Sequence, residues 1–363
     1  MDNKVDKVLS RKVTALSFVA MVCVVMIHSH AIGTHENPKP WCVFVQALLM
    51  RTATDWAVPF FFVVSGFFFA ALNLEKLSIS WYGKLLGKKL RTLLVPYVLW
   101  TLIGTVFSMS LVVVNNHIMH HGLFERTFMA ADGFWGRIDS LFGVTRGGPS
   151  GNLALWYVRS LLMLFALSPL LAVVSKIHKA ALFVVGLLLA LTVPEVSIKF
   201  LSLKLGSVGW FCVGMGVSQL ALETRRMPNL LFAFAGVGWC ALSVLGAMER
   251  AGWFSTTRTL AYVMPFAALS GILFWWGLYD RLSCLRRGDL PGWFKMTFWV
   301  YCLHGVVTCW ILAPTQYLLG KSEWVAMLAS CLSVFGSIVF SLATGQLVKH
   351  YFPKVYVVLS GGR

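Results

Sequence analysis

Ten apolar runs, most of them close to 20 residues long, constrain this chain more than any other feature. They cover approximately residues 14–34, 55–74, 90–114, 153–175, 180–193, 205–220, 230–248, 259–279, 297–313 and 324–348. A helix needs about 20 mainly apolar residues to cross a bilayer. The expected fold is therefore all-α, a polytopic integral membrane helix bundle with about ten transmembrane helices. The fifth and sixth runs are short. The hydrophilic segment between them, PEVSIKFLSLK, is expected at the interface or partly inside the fold. Composition agrees: 58% of residues are hydrophobic and 12% charged, where a soluble domain carries about a quarter charged.

The formal charge of +17 raises the question of a nucleic-acid partner. The basic residues lie between the apolar runs, with no long basic tract or RNA-binding motif, so anionic head groups and topology explain them better. With the N-terminus cytoplasmic, cytoplasmic segments hold 20 of the 31 Lys and Arg, external segments hold 10, and Arg159 lies within a run. The clusters KLLGKKLR (84–91) and RLSCLRR (281–287) fall on the N-terminal side. The positive-inside rule then puts both termini in the cytoplasm. The basic start MDNKVDKVLSRKV resembles a signal peptide, but the apolar stretch after it is long for one and no A-x-A site follows, so it is expected as a retained first span. One domain over 1–363 is expected, with no appended soluble module. The segment from Asn115 to Asn152 is long, external on this topology and rich in Gly, His and Arg; loops this long are functional or disordered. The eight cysteines fall mostly inside apolar runs without a CxxC pair, which reads as buried thiols rather than disulfides or zinc ligands.

Polar residues inside the apolar runs carry the functional signal. His28 stands in the far half of the first run. It is either a core histidine bonded to a neighbouring helix or a functional group, the usual status of an intramembrane ionisable residue. His28, His30, His35 and Glu36 lack the i, i+4 spacing of a helical zinc motif, so no metal is expected. In VPFFFVVSGFFFA, the small pair Ser65-Gly66 marks close helix packing or a close approach to a ligand. Lys88 and Arg91, in KLLGKKLRTLLVPYVLW, are either positive-inside anchors or a phosphate site. In NLALWYVRSLLMLFALSPLL, Trp156 and Tyr157 suit an interfacial belt, and Arg159 lies about a turn deeper. His304 stands within FWVYCLHGVV. All fourteen Asp and Glu fall in loops or at run edges, Asp55 being nearest a core. His28 and Arg159 therefore need a hydroxyl, a carbonyl, water or a ligand as partner. The same lack argues against ion-coupled transport.

Taken in order along nearly the whole chain, five stretches resemble the acyltransferase family 3 membrane proteins: the first-span histidine, PFFFVVSGF, the basic KKLR…P entry to the third run, LWYVRSLL and YCLHG. The resemblance implies transfer of an acyl group, usually acetyl from acetyl-CoA, to a sugar hydroxyl of a surface glycan or lipid-linked precursor, at a multi-pass inner-membrane site of the bacterial envelope. It implies His28 as the base or transient acyl carrier. It places Arg91 and Lys88 at the donor phosphates, with Trp156, Tyr157 and Arg159 shaping the acceptor mouth and Ser65 and His304 on the interior track. The expected partners are the bilayer and the glycan acceptor, with no nucleic acid. Two other readings stay open: a transporter or flippase of a polar or lipid-linked substrate, and a catalytically silent relative.

One departure bears on the donor. The family's first span carries Arg eleven positions before its His, and Ser17 stands there in this chain. Eleven residues are about three turns, so the two positions share a face roughly 16 Å apart. Arg91 is the residue expected to supply the missing cation. Loss of activity in Arg91→Ala membranes, with activity kept in Ser17→Arg, is the expected outcome; collapse in Ser17→Arg with survival in Arg91→Ala contradicts it.

Overall fold

The computed structural model describes residues 7–30, 38–73, 78–117, 133–143, 145, 147–178, 180–198, 201–222, 227–254, 257–282, 289–320 and 322–362. Residues 118–132, 144 and 146 of the Asn115–Asn152 loop, the pair His35 and Glu36, and most of the 281–287 basic cluster lie outside the described residues.

Six helical segments are long and apolar enough to cross a membrane: Lys7–His28, Pro40–Leu72, Ser80–Val114, Asn229–Arg250, Gly292–Leu319 and Glu323–Tyr351. A seventh is the pair Leu153–Ala166 and Ser168–Ile177, bent by 58°. The chain is thus a helical membrane protein, with six or seven segments meeting that test among the described residues where ten were expected. The difference has local causes. Pro169 breaks the fourth run, because proline cannot continue the ladder of the helix before it. The fifth and sixth runs form helices of only 12 and 15 residues, α9 (Ala181–Thr192) and α10 (Leu205–Gln219).

The other elements run in chain order. Helix α1 (Lys7–His28) is followed by α2 (Pro40–Ala47), a π-helical turn at Leu48–Thr52, and α3 (Ala57–Asn73). Helix α4 (Ile79–Lys89) passes through a second π-turn, Leu90–Leu94, into α5 (Val95–His117). Pro96 has no N–H to give the preceding turn, which widens there. Helix α6 (Gly133–Phe142) precedes α7 (Trp156–Ala166) and α8 (Ser168–Ile177), the two arms of the bent pair. Next come α9, a two-stranded ribbon and α10. The ribbon pairs β1 (Ser197–Ile198) with β2 (Leu203–Lys204), antiparallel. It is the β structure among the described residues, and it carries the PEVSIKFLSLK segment into the fold, with Leu203 fully buried. The rest is α11 (Asn229–Arg250), α12 (Thr257–Arg281), α13 (Thr297–Leu319), α14 (Glu323–Tyr351) and α15 (Pro353–Ser360).

Small residues set the closest helix contacts, as expected where lipid offers no hydrophobic drive between helices. A Cβ on Gly66 of α3 would lie 1.9 Å from the Phe211 carbonyl oxygen of α10, and one on Gly214 would lie 1.9 Å from the Val63 carbonyl oxygen. On α14, Ser330, Ser333, Ser337 and Ser341 are buried at helical spacing. Ser333 bonds Ser29 at the end of α1, and Ser337 bonds Thr308 of α13.

Three helices fix the polarity of the bundle. Phe18 of α1 packs on Trp293 and Phe294, just before α13, at 4.7 Å between ring centroids. Ten residues further on, the His28 ring lies 5.2 Å from that of His304. Helices α1 and α13 are therefore parallel. Helix α14 is antiparallel to both, since Ser333 meets Ser29 while Thr344 meets Trp299. The start of α1 and the end of α14 lie at one end of the bundle, called here the inner end. Lys12 is held at that end by Asp280 of α12 at 2.7 Å and by the Trp276 ring at 3.9 Å.

The close approach of α3 and α10 yields a direct expectation. Gly66→Val should cost at least about 1–3 kcal/mol through overpacking. Gly83→Ala, whose Cβ meets nothing within 4 Å, should be neutral. Thermal unfolding of the purified protein in one detergent checks both.

Candidate functional site

Helices α1 and α13 carry a histidine each to the same depth, and a cavity lies on either side of the pair. The inner cavity, about 340 Å³, is lined by Ser17, Ser65, Lys89, Tyr157, Lys295 and Tyr301 among others. The outer chamber, about 170 Å³, is lined by His28, Thr105, Ser108, Asn152, Gly305 and Trp310 among others. Ser17 lines the inner cavity and His28 the outer chamber, about three turns further along α1. A third cavity, about 540 Å³ and walled by apolar side chains such as Val13, Phe67 and Trp276, offers no polar chemistry.

The two histidines differ in setting. His28, at the last turn of α1, is half-buried and faces the outer chamber. His304 is fully buried between the cavities. Its Nδ1 lies 2.7 Å from the Tyr301 carbonyl and 3.2 Å from that of Val300. A carbonyl only accepts, so Nδ1 carries the proton and the neutral ring keeps its lone pair on Nε2. That Nε2 is buried and has no hydrogen-bond partner among the described residues. It is a base or acceptor held in one tautomer on the ring edge away from its own helix.

Aromatic and hydroxyl groups link the pair to the inner cavity. The Tyr301 ring lies 6.0 Å from His304 and 5.8 Å from Tyr157. The Tyr301 hydroxyl donates to the Ala154 carbonyl. Tyr157 Oη donates to the Phe61 carbonyl at 3.2 Å and lies 3.0 Å from Ser65 Oγ. The Ser65-Gly66 pair therefore divides its work: Gly66 permits helix contact and Ser65 lines the cavity.

The remaining candidates separate. Lys88 and Arg91 are exposed and are not among the residues that line the inner cavity. The lysines that line it are Lys89, whose ammonium sits 4.0 Å over the Phe165 ring, and Lys295, just before α13. The cation beside Ser17 is thus lysine from two other elements. Trp156 is half-buried and packs near Phe62, 6.1 Å between centroids. Arg159 is buried, and its guanidinium reaches the carbonyls of Leu201 at 2.7 Å and Ser202 at 3.4 Å. Two of its partners are thus backbone carbonyls, the Asp139 carboxylate lies within its electrostatic range, and Arg159 ties α7 to the ribbon. At the outer end, Arg51 and Arg250 lie within electrostatic range of Asp55 and His30, and Arg51 also of His28.

Asn152, Lys89, Lys295 and Tyr301 are the residues that sequence reasoning did not single out. Asn152 is 3% exposed, donates from Nδ2 to the Cys302 carbonyl at 2.7 Å, and leaves Oδ1 buried and without a hydrogen-bond partner among the described residues. Its place at the head of the LWYVR motif was the available signal.

The described residues thus form a helical membrane bundle in which an imidazole pair stands near two unlike cavities. The chain belongs to acyltransferase family 3: that family's model, an acyltransferase domain, matches residues 13–345. The succinoglycan biosynthesis protein ExoH of Rhizobium meliloti (strain 1021) is 25% identical over 314 residues, covering 84% of this chain and 79% of that protein. No solved structure matches the chain.

The role of Arg159 can be read directly. Arg159→Lys loses the fork that spans two carbonyls and should cost about 1.5–3 kcal/mol, the range for hydrogen bonds to charged groups. Hydrogen exchange of residues 201–205 should speed up accordingly, while exchange in α1 stays as in wild type.

Proposed function

We propose that the protein moves an acyl group, most simply acetyl, from an acyl-CoA to a hydroxyl of a cell-surface glycan or lipid-linked sugar. The observation that carries this reading is the His28–His304 pair between a lysine-lined inner cavity and a hydroxyl-lined outer chamber. The family supports acyl transfer, and the relative named for succinoglycan biosynthesis supports a polysaccharide acceptor. The single domain 1–363 sits in the inner membrane with both termini cytoplasmic. Ten crossings result if the bent pair, α9, α10 and α12 are counted with the six long segments. The inner end of the bundle is then the donor side.

Each cavity suits one substrate. Lys89 and Lys295 meet the anionic end of the donor, aided by the N-terminal end of α13, where Thr297 lines the same cavity; helix N-termini favour phosphate. Lys88 and Arg91, exposed nearby in sequence, add to the field that draws it in. Ser65 and Tyr157 hold the carbonyl end of the pantetheine arm. Trp156, Tyr157 and Arg159 shape the α7 side of the track, Arg159 by fixing the ribbon.

In the reaction the acceptor hydroxyl attacks the thioester carbonyl. The O–H bond breaks and its proton passes to the imidazole pair. A new C–O bond forms, the C–S bond breaks, and the electron pair leaves on sulfur. The proton held by the pair neutralises the thiolate, so the products are the ester and free CoA. His28 faces the chamber and acts at the reacting centre, as base or as transient carrier of the acyl group. His304, locked in one tautomer with its Nε2 lone pair free among the described residues, is the second imidazole that can hold the proton until it returns to the thiolate.

Membrane vesicles given acyl-labelled acetyl-CoA test this. His28→Ala should lower label transfer to glycan and lipid fractions by about 10²–10⁴-fold, the usual contribution of a general base, without loss of membrane insertion. Lys89→Ala and Lys295→Ala should raise the donor KM about tenfold and leave kcat nearly unchanged. Transfer by a well-inserted His28→Ala protein at the wild-type rate contradicts the proposal.

A further inference from the structure

The wall of the outer chamber has an unusual hydrogen-bond polarity. Thr105 Oγ1 donates to the Thr101 carbonyl at 2.9 Å, and Ser108 Oγ to the Gly151 carbonyl at 2.9 Å. Ser150 Oγ donates to the Ser140 carbonyl at 2.7 Å. Trp310 Nε1 donates to the Phe107 carbonyl at 3.4 Å, and Asn152 Nδ2 to the Cys302 carbonyl at 2.7 Å. All five side chains line the chamber. A hydroxyl has one proton and an indole one N–H, so those four donors are committed to backbone, and Asn152 Nδ2 gives one of its two protons to Cys302. What the wall presents to a ligand is mainly oxygen lone pairs.

The sharpest of these acceptors is Asn152 Oδ1. It is buried and has no hydrogen-bond partner among the described residues, and its direction is fixed because Nδ2 is tied to Cys302. It stands beside Gly305, where an added Cβ would lie 3.1 Å from it; the glycine leaves its face open. A buried acceptor without a donor costs about 1–3 kcal/mol, and native structures rarely keep one without use. A bound group that donates to it removes that cost.

We infer that the outer chamber takes a neutral, hydroxyl-rich ring and discriminates against anionic groups, with Asn152 Oδ1 accepting from a second hydroxyl while the reacting hydroxyl faces His28. The inference rests on the acyl-transfer reading for what the ring is there to do. A carboxylate or phosphate oxygen only accepts, so in this wall it gives up water and finds few donors in return. Arg51, whose charge reaches His28, is not among the residues that line the chamber. The volume of about 170 Å³ is below the ~300 Å³ of typical small-molecule sites, which suits a single sugar ring with the rest of the glycan outside.

The test uses the full-length protein in nanodiscs and reads His28 without relying on turnover. Diethyl pyrocarbonate modifies neutral imidazole nitrogen, and mass spectrometry of the His28 peptide gives the rate. The probes are the methyl glycosides of glucose, galactose and mannose, set against methyl glucuronide and methyl galacturonide. At least one neutral glycoside should slow His28 modification, and neither uronide should. Asn152→Ala should raise the half-protecting concentration about fivefold, the effect of one neutral hydrogen bond. Ser108→Ala, a milder change at the same wall, should raise it in the same direction if Asn152→Ala fails to fold. Protection by the uronides equal to that by the neutral glycosides, protection by no probe, or wild-type protection in the folded variants overturns the inference. Acetyl transfer measured on the same preparations separates the two claims. Sugar protection without any transfer sinks the acyl-transfer reading and leaves the chamber's selectivity standing. Transfer without neutral-sugar protection does the reverse.

Discussion

The parallel contact between α1 and α13 is the constraint on which the rest of the site depends. One end of that contact is an aromatic cluster, Phe18 on Trp293 and Phe294, and the other is the His28–His304 pair. Rigid helices rise about 1.5 Å per residue, so clamping the inner end fixes the depth at which the two rings meet. Helix α14 closes the contact from the third side through small hydroxyl residues that let its backbone come close. The site is therefore built on regular elements, which hold geometry better than loops do. The ribbon pinned by Arg159 and the tight α3–α10 seam support it from behind.

The two cavities differ in what they ask of a ligand. The inner one offers ammonium groups and a helix N-terminus, and so favours an anion. The outer one offers lone pairs, and so favours a donor of hydrogen bonds. A thioester with a phosphate-bearing tail and a sugar hydroxyl meet those demands in turn. Between them stands an imidazole pair able to take a proton from one substrate while the other loses its sulfur. Two lysines from elsewhere in the chain, Lys89 and Lys295, line the same inner cavity as Ser17, so that cavity is not neutral.

How much of this was legible in the sequence varies by element. The long apolar runs were legible because hydropathy sums over many residues, and α1, α11, α13 and α14 fall close to where the runs lie. The count was not, because hydropathy is blind to bending and to burial inside protein. Pro169 turns one run into two arms, and α10 is buried along most of its length, so its apolar character serves helix packing. The helix α2 fell between the first two runs and was missed. In the site, His28 and His304 stood out as lone polar residues in apolar surroundings, but their pairing is a tertiary fact between positions 276 residues apart. Lys89 sits beside the two residues chosen for the donor phosphates; the choice among Lys88, Lys89 and Arg91 depends on helix phase through a π-turn, which composition does not reveal. Asn152 offered only its place at the head of the LWYVR motif. Its meaning comes from which of its two amide atoms the Cys302 carbonyl consumes.

The central claim is that donor and acceptor approach the histidine pair from opposite ends of the bundle. Sealed vesicles of known orientation, with acyl-labelled acetyl-CoA supplied on one face only and the glycan acceptor on the other, test it most directly. The account expects label on the acceptor when the donor is on the α1 N-terminal face, and none when donor and acceptor exchange sides. Equal labelling in both arrangements, with the vesicles shown to be sealed, would contradict it and place both substrates in one compartment.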